Sequence, residues 1–127
     1  MYYRKNEKKN CFFVNEIVGN MRKNKDIVLQ SIKDTLQRVV PTGTKVVLFG
    51  SQARGDAHED SDWDILIILD KSKIDTNDYD NISYPLRELG WKLKECINPV
   101  MYTLKDWMKY SFSPFHQNIN NEGIILL

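Results

Sequence analysis

Cysteine is scarce and forms no pattern. The two present, Cys11 and Cys96, stand far apart with no CxxC or Cys/His companions, which argues against both a disulfide framework and a zinc site. Both read as free thiols in a reducing compartment, and the expected location is cytoplasmic. Long apolar runs are missing too. The longest candidate, Ile65 to Leu69, is strand-sized against the ~20 residues that a bilayer span requires, so the reading is of a soluble chain with no membrane partner. Neither sign of charge dominates: 18 Lys and Arg face 17 Asp and Glu, for a formal net charge of +1. Nothing in that balance calls for a polyanion such as duplex DNA, and nucleic acid is not an expected partner. Repeats and low-complexity linkers are absent, and 127 residues suffice for one core but hardly for two.

The N-terminus superficially looks like an export signal, because Arg4, Lys5, Lys8 and Lys9 precede the apolar cluster Cys11-Phe12-Phe13-Val14. Asn15 and Glu16 interrupt that cluster at once and no small-residue cleavage site follows, so export is not expected. A second methionine, Met21, stands just before the polar lead-in to the first convincing helix. Residues 1–20 therefore read as a flexible extension or an upstream mis-assigned start, with an ordered appendage as the alternative, and residues 21–127 as the domain.

From Asp26 onward, Val28, Ile32, Leu36 and Val39 follow the three-and-four spacing of an amphipathic helix, which Pro41-Thr42-Gly43 stops. Lys45 to Phe49 reads as a short buried strand ending at Gly50, and Asp62 to Leu69 as a second. Tyr79, Ile82, Leu86, Leu89 and Leu93 mark another helix within Asp75 to Lys94, with a kink or break expected at Pro85. A third strand is expected at about Ile97 to Thr103, then a short helical stretch around Lys105 to Tyr110. Ser113-Pro114 looks like an N-cap followed by proline at the first helical position, and Gly123 like a stop before the apolar tail Ile124 to Leu127. This order predicts an α/β (α+β) fold, a small mixed sheet covered by helices.

The chemically informative stretch is Gly50-Ser51-Gln52-Ala53-Arg54-Gly55 followed by Ser61-Asp62-Trp63-Asp64-Ile65-Leu66. A glycine directly after a buried strand lets a bulky anion approach the backbone, and the residues after it can open a helix whose N–H groups face phosphate oxygens. Ser51 offers a hydroxyl donor. Arg54 offers a charge-assisted donor, either to phosphates or to an acidic neighbour that fixes the loop. Asp62 and Asp64, two apart on an expected strand, project from one face while Trp63 and Ile65 take the other. Paired carboxylates make a hard-oxygen site suited to Mg²⁺, which shares its coordination with substrate phosphates. A lone Gly-Ser turn or a lone Asp-x-Asp is usually just a turn or a solvated strand end; the succession of the two is much less common by accident.

These residues resemble the GSxARG and SDxDLL signature of the polymerase-β-like nucleotidyltransferase superfamily, and among its members the minimal nucleotidyltransferase (MNT) domains. The resemblance runs from about Met21 to the C-terminus, including Tyr102-Thr103-Leu104 and Asn121-Glu122-Gly123-Ile124. It implies that Gly50 and Ser51 hold the triphosphate and that Asp62 and Asp64 are the catalytic, metal-binding pair for Mg²⁺ or Mn²⁺; Arg54, on its own chemistry, is counted with the nucleotide-binding residues. It further implies transfer of a nucleoside monophosphate, most simply AMP from ATP, with release of pyrophosphate. The family commonly carries a third carboxylate on the next strand, and the aligned position here is Asn98, a possible third-ligand position. An amide oxygen can approach a metal, but it neither neutralises charge nor accepts a proton as a carboxylate does. Glu95 falls at an odd offset from it, and Asp56, Glu59 and Asp60 lie in the motif loop.

The remaining candidates have plainer readings. His58 reads as a solvated loop residue, His116 as structural or surface, and Tyr79, Trp91 and Trp107 as core or interface packing. Two functions compete, beside a third reading in which the motif is a relic and the domain a structural subunit. One is an enzyme that transfers NMP to a hydroxyl of a protein or small molecule; the other is a non-catalytic module, like the antitoxin half of HEPN/MNT toxin–antitoxin pairs, that neutralises a HEPN-type partner by binding. The spare aromatics also suit a homo-oligomer.

Overall fold

The computed structural model describes residues 25–127. The boundary expected near residue 20, and Cys11 with it, lie outside the described residues. The first helix, α1 (Lys25–Val39), buries Val28, Ile32 and Leu36, each worth about 1.5–3 kcal/mol on leaving water. Strand β1 (Lys45–Phe49) follows, then a single helical turn α2 (Ser51–Arg54) and strand β2 (Trp63–Leu69).

The next helical run is continuous but not uniform: α3 (Thr76–Asp78), a π-helical segment (Tyr79–Ser83) and α4 (Tyr84–Leu93). The expected break at Pro85 takes this form. A proline ring collides with the carbonyl four residues back, here that of Asn81, and lacks the N–H that would bond to it. The wider π turn immediately upstream accommodates both without ending the helix. Asp75 caps the run reciprocally, its carboxylate accepting from the Asp78 N–H while the Asp78 carboxylate accepts from the Asp75 N–H. Lys71 Nζ donates to the same Asp78 carboxylate at 2.8 Å.

Gly90 shows why a glycine is placed inside α4. A Cβ there would lie 2.7 Å from the Glu95 carbonyl oxygen and 3.3 Å from Ile97, so its absence lets the helix lie directly on the start of the next strand. Lys94 closes the helix in the left-handed region at φ 59°, a conformation more usual for glycine. Strand β3 (Ile97–Thr103), α5 (Leu104–Lys109), α6 (Pro114–Glu122) and a short β4 (Ile124–Ile125) complete the chain. Ser113 caps α6 as its sequence suggests, accepting from the His116 N–H with Pro114 opening the helix.

The sheet is mixed, in the order β3-β2-β1-β4, with β1 antiparallel to β2 and β4, and β2 parallel to β3. Alternation along β2 sorts its side chains between two cores. Trp63, Ile65, Ile67 and Leu69 join Val28, Ile32 and Leu36 of α1 and Ile82 and Leu86 on one face. Leu66 and Ile68 join Val47, Trp107 and Ile119 on the other, under α5 and α6. The apolar tail expected at the C-terminus is thus a strand: Ile124 pairs with Leu48, Ile125 with Val47, and Leu126 is buried in the first core. A two-residue ladder has too little period to be recognised without its partner strand.

Pro99 fits its place. In β3 it stands opposite Ile65 at the sheet edge, where a missing backbone donor disturbs no ladder. No helix among the described residues is long and apolar enough to cross a membrane.

Candidate functional site

The site forms where β1 ends and β2 and β3 begin. Ladder register places Phe49, Asp64 and Asn98 side by side across three strands. Asp64 shares the parity of Leu66 and Ile68, so it faces the α5/α6 side of the sheet, at the end of that core. Asp62 precedes β2, whose pairing begins with the Trp63 N–H donating to the Cys96 carbonyl at 2.8 Å. The expected strand therefore starts one residue later than its sequence suggests, and Asp62 and Asp64 are both half-buried rather than solvated.

Gly50 is held at φ 76°, ψ −160°, where a side chain would be strained. A Cβ at this position would meet Asp64 Oδ2 and turn the carboxylate aside, so the missing side chain leaves room for the carboxylate to lie against the backbone of the loop. The chain then turns into α2, with the Ala53 and Arg54 N–H groups both donating to the Gly50 carbonyl. As at any helix start, the first amides, those of Ser51 and Gln52, have no intrahelical acceptor. Strand end, anion-compatible turn and carboxylate therefore meet at one point.

The other side of Asp64 is occupied by Asn98, whose Nδ2 donates to Asp64 Oδ1 at 3.1 Å. A carboxylate only accepts, so the amide must present its nitrogen here. Asn98 is buried and in register with Asp64, as the alignment of the two strands suggests, but it turns a donor rather than an oxygen toward the acid.

Two contacts shape the intervening loop. Gln52 Nε2 donates to the Ser61 carbonyl at 3.4 Å, and Ser61 Oγ accepts from the His58 N–H at 2.9 Å. His58 is exposed and serves as part of this loop. Of the two partners open to Arg54, the acidic one is present: Nε donates to Asp56 Oδ2 at 3.3 Å, and Nη1 lies 3.6 Å from Glu122 Oε2 at the end of α6. The Asp56 carboxylate first, and Glu122 after it, push the guanidinium still further above its ordinary value. The approach of Glu122 to this loop carries no local sequence signal, because it joins residues far apart in the chain. Glu59 and Asp60 are exposed and Glu95 is half-buried, outside the Phe49, Asp64 and Asn98 row.

Beside Phe49 the α5/α6 face is aromatic. Phe115 meets Phe49 edge-on at 5.5 Å and Trp107 at 6.0 Å. His116 is buried and stacks on Trp107 at 4.0 Å, so of its two readings the structural one holds. Trp107 is core as expected, whereas Tyr79 and Trp91 are about half exposed.

Among the described residues no group of three or more His, Cys, Asp and Glu is gathered to hold a metal with protein ligands alone. Chemically, a pair of carboxylates with no thiol or imidazole suits a hard cation that completes its shell with phosphate and water.

The model of the nucleotidyltransferase domain family matches residues 29–120. A Methanocaldococcus jannaschii protein, provisionally named a protein adenylyltransferase, is 37% identical over 82 residues, covering 65% of this chain and 76% of that protein. Among solved structures, a toxin–antitoxin crystal structure with AMP-PNP is similar with a TM-score of 0.57 and 20% identity, covering 78% of this chain and 72% of that one. A mutant of the MntA–HpeT toxin–antitoxin follows at TM-score 0.55 and 19% identity, with the same coverage of 78% and 72%. At such identities the likeness is one of fold.

Proposed function

The chain belongs to the nucleotidyltransferase domain family, and from that premise we propose that it binds a nucleoside triphosphate, ATP by preference, with Mg²⁺ or Mn²⁺, and transfers its NMP to a hydroxyl of a protein or small-molecule acceptor. The observation that carries this reading is the contact between Gly50 and Asp64. A turn able to receive phosphate and a strand bearing a carboxylate are useful together only if they touch, and here the absent side chain of Gly50 leaves the room in which Asp64 Oδ2 lies against the turn.

In this reading Gly50 and Ser51 seat the triphosphate, Arg54 belongs to the turn that binds it, and Asp62 and Asp64 are the catalytic, metal-holding pair. The acceptor oxygen attacks the α-phosphorus in line; a P–O bond to the acceptor forms as the bond to the β-phosphate oxygen breaks, pyrophosphate leaves, and the hydroxyl proton passes to solvent or a nearby carboxylate. The cation supplies charge neutralisation on the phosphoryl oxygens. The likeness to a protein adenylyltransferase supports AMP as the transferred group and a protein as the acceptor. The likeness to toxin–antitoxin structures supports a toxin as that protein; that it is of HEPN type rests on the resemblance to MNT domains alone.

A second reading is favoured by Asn98. With an amide donating to Asp64 where a further acid would serve as base, the domain neutralises a HEPN-type partner by binding alone. Incubation with ATP labelled on the α-phosphate, Mg²⁺ and the candidate partner separates the two. Label on the partner with wild type, lost at least 100-fold in Asp64→Asn, is the expected result, the cost typical of a lost charge-stabilising or acid–base group. A complex that forms unlabelled and is unaffected by the substitution would establish the second reading instead.

A further inference from the structure

We propose that Glu122 is a positioning residue for the phosphate-binding turn, acting through Arg54. This rests on the nucleotide reading above.

Glu122 is the last residue of α6, where the negative end of the helix dipole disfavours a carboxylate. Its position therefore gains nothing from its own helix. What it does have is Arg54 Nη1 at 3.6 Å, the last residue of the turn that Gly50 and Ser51 open. The backbone that follows Glu122 is anchored. The Gly123 N–H donates to the Ile119 carbonyl at 2.8 Å, and a Cβ on Gly123 would fall 2.5 Å from Val47 Cγ1, so the chain leaves α6 pressed against β1. Ile124 and Ile125 then pair with β1, and the Leu126 N–H donates to the Val46 carbonyl at 2.8 Å.

β4 flanks β1 on the side away from β2. The Arg54 guanidinium is thus drawn toward the C-terminal strand, while Asp64 contacts Gly50 from the β2 side. The turn is fixed between these two attachments, one through the missing side chain of Gly50 and one through the charge pair of Arg54. Arg54 supports nucleotide binding by holding the turn's shape, with its guanidinium spent on Asp56 and Glu122 rather than on phosphate.

Calorimetric affinity for ATP with Mg²⁺ in a double-mutant cycle tests this. Glu122→Gln is expected to weaken ATP roughly two- to fivefold, the scale of an exposed ion pair, and the loss should shrink at high salt. In an Arg54→Gln background the same substitution should change affinity by less than about 1.5-fold, because the coupling is already gone. A tightening of ATP by Glu122→Gln, as expected for removal of a negative charge near a phosphate-bound arginine, would overturn the proposal. So would an equal effect in both backgrounds, or a lowered melting temperature with affinity unchanged, which would make the pair a general stabiliser. Absence of ATP binding by wild type would instead sink the nucleotide reading, and the proposal with it.

Discussion

Asp64 sits between a glycine whose Cβ would displace its carboxylate and an amide that donates to it, so its carboxylate is oriented from both sides. Replacing the donor is the informative change. Asn98→Asp puts a second carboxylate within hydrogen-bond distance of the first, and two like charges there raise each other's pKa and oppose burial. The variant is expected to melt several degrees below wild type without divalent cation and to regain most of that difference in millimolar Mg²⁺, a gain at least twice that of wild type. Thermal melts with and without Mg²⁺ check it, and a cation-independent deficit would show that position 98 does not face the metal.

Elements meet at two places where a single atom decides the fit. Gly90→Ala drives a Cβ into the Glu95 carbonyl oxygen and Ile97, forcing α4 off β3. Such overpacking costs about 1–3 kcal/mol, outweighing the better helix propensity of alanine, which is worth up to ~1 kcal/mol; urea unfolding should show the net loss. The start of α3 depends on charge. Burial works against ionisation of Asp78, but hydrogen bonds from Lys71 and the Asp75 backbone outweigh it and hold its carboxyl below the ordinary 3.8. A carboxyl depressed in the folded state contributes stability above its unfolded value and loses it as pH falls through the folded one. Asp78→Ala should therefore cost about 1–3 kcal/mol at neutral pH. That gap to wild type should narrow as pH falls from the ordinary carboxylate value through the depressed one. A gap that instead narrowed between pH 8 and 5 would assign the effect to another group.

Across the whole molecule, the C-terminal five residues tie the second half of the chain to β1. Truncation after Glu122 removes the β4 pairing and the buried Leu126, a side chain worth about 1.5–3 kcal/mol by itself. The truncated protein should unfold at clearly lower urea, and its ATP affinity should fall as well, since the support of Glu122 goes with it. Loss of stability with full affinity retained would separate the tail from the site.

What was legible along the chain is what local chemistry governs. Helix faces repeat at three and four, Ser113-Pro114 starts a helix and Pro85 disturbs one. Each depends on neighbours within a turn or two, so the linear order of residues already determines it; Gly50-Ser51 and the Asp62, Asp64 pair are legible as a pattern of residue types, and folding brings Gly50 and Asp64 together. Tertiary structure decided the rest: that Ile124 and Ile125 are a strand, that His116 is buried on Trp107, that Asn98 turns its nitrogen to Asp64, and that Arg54 reaches Glu122. The physical reason is common to all four. Each is a pairing between residues brought together by sheet register or helix packing, and neither partner carries a mark of the other until the chain has folded.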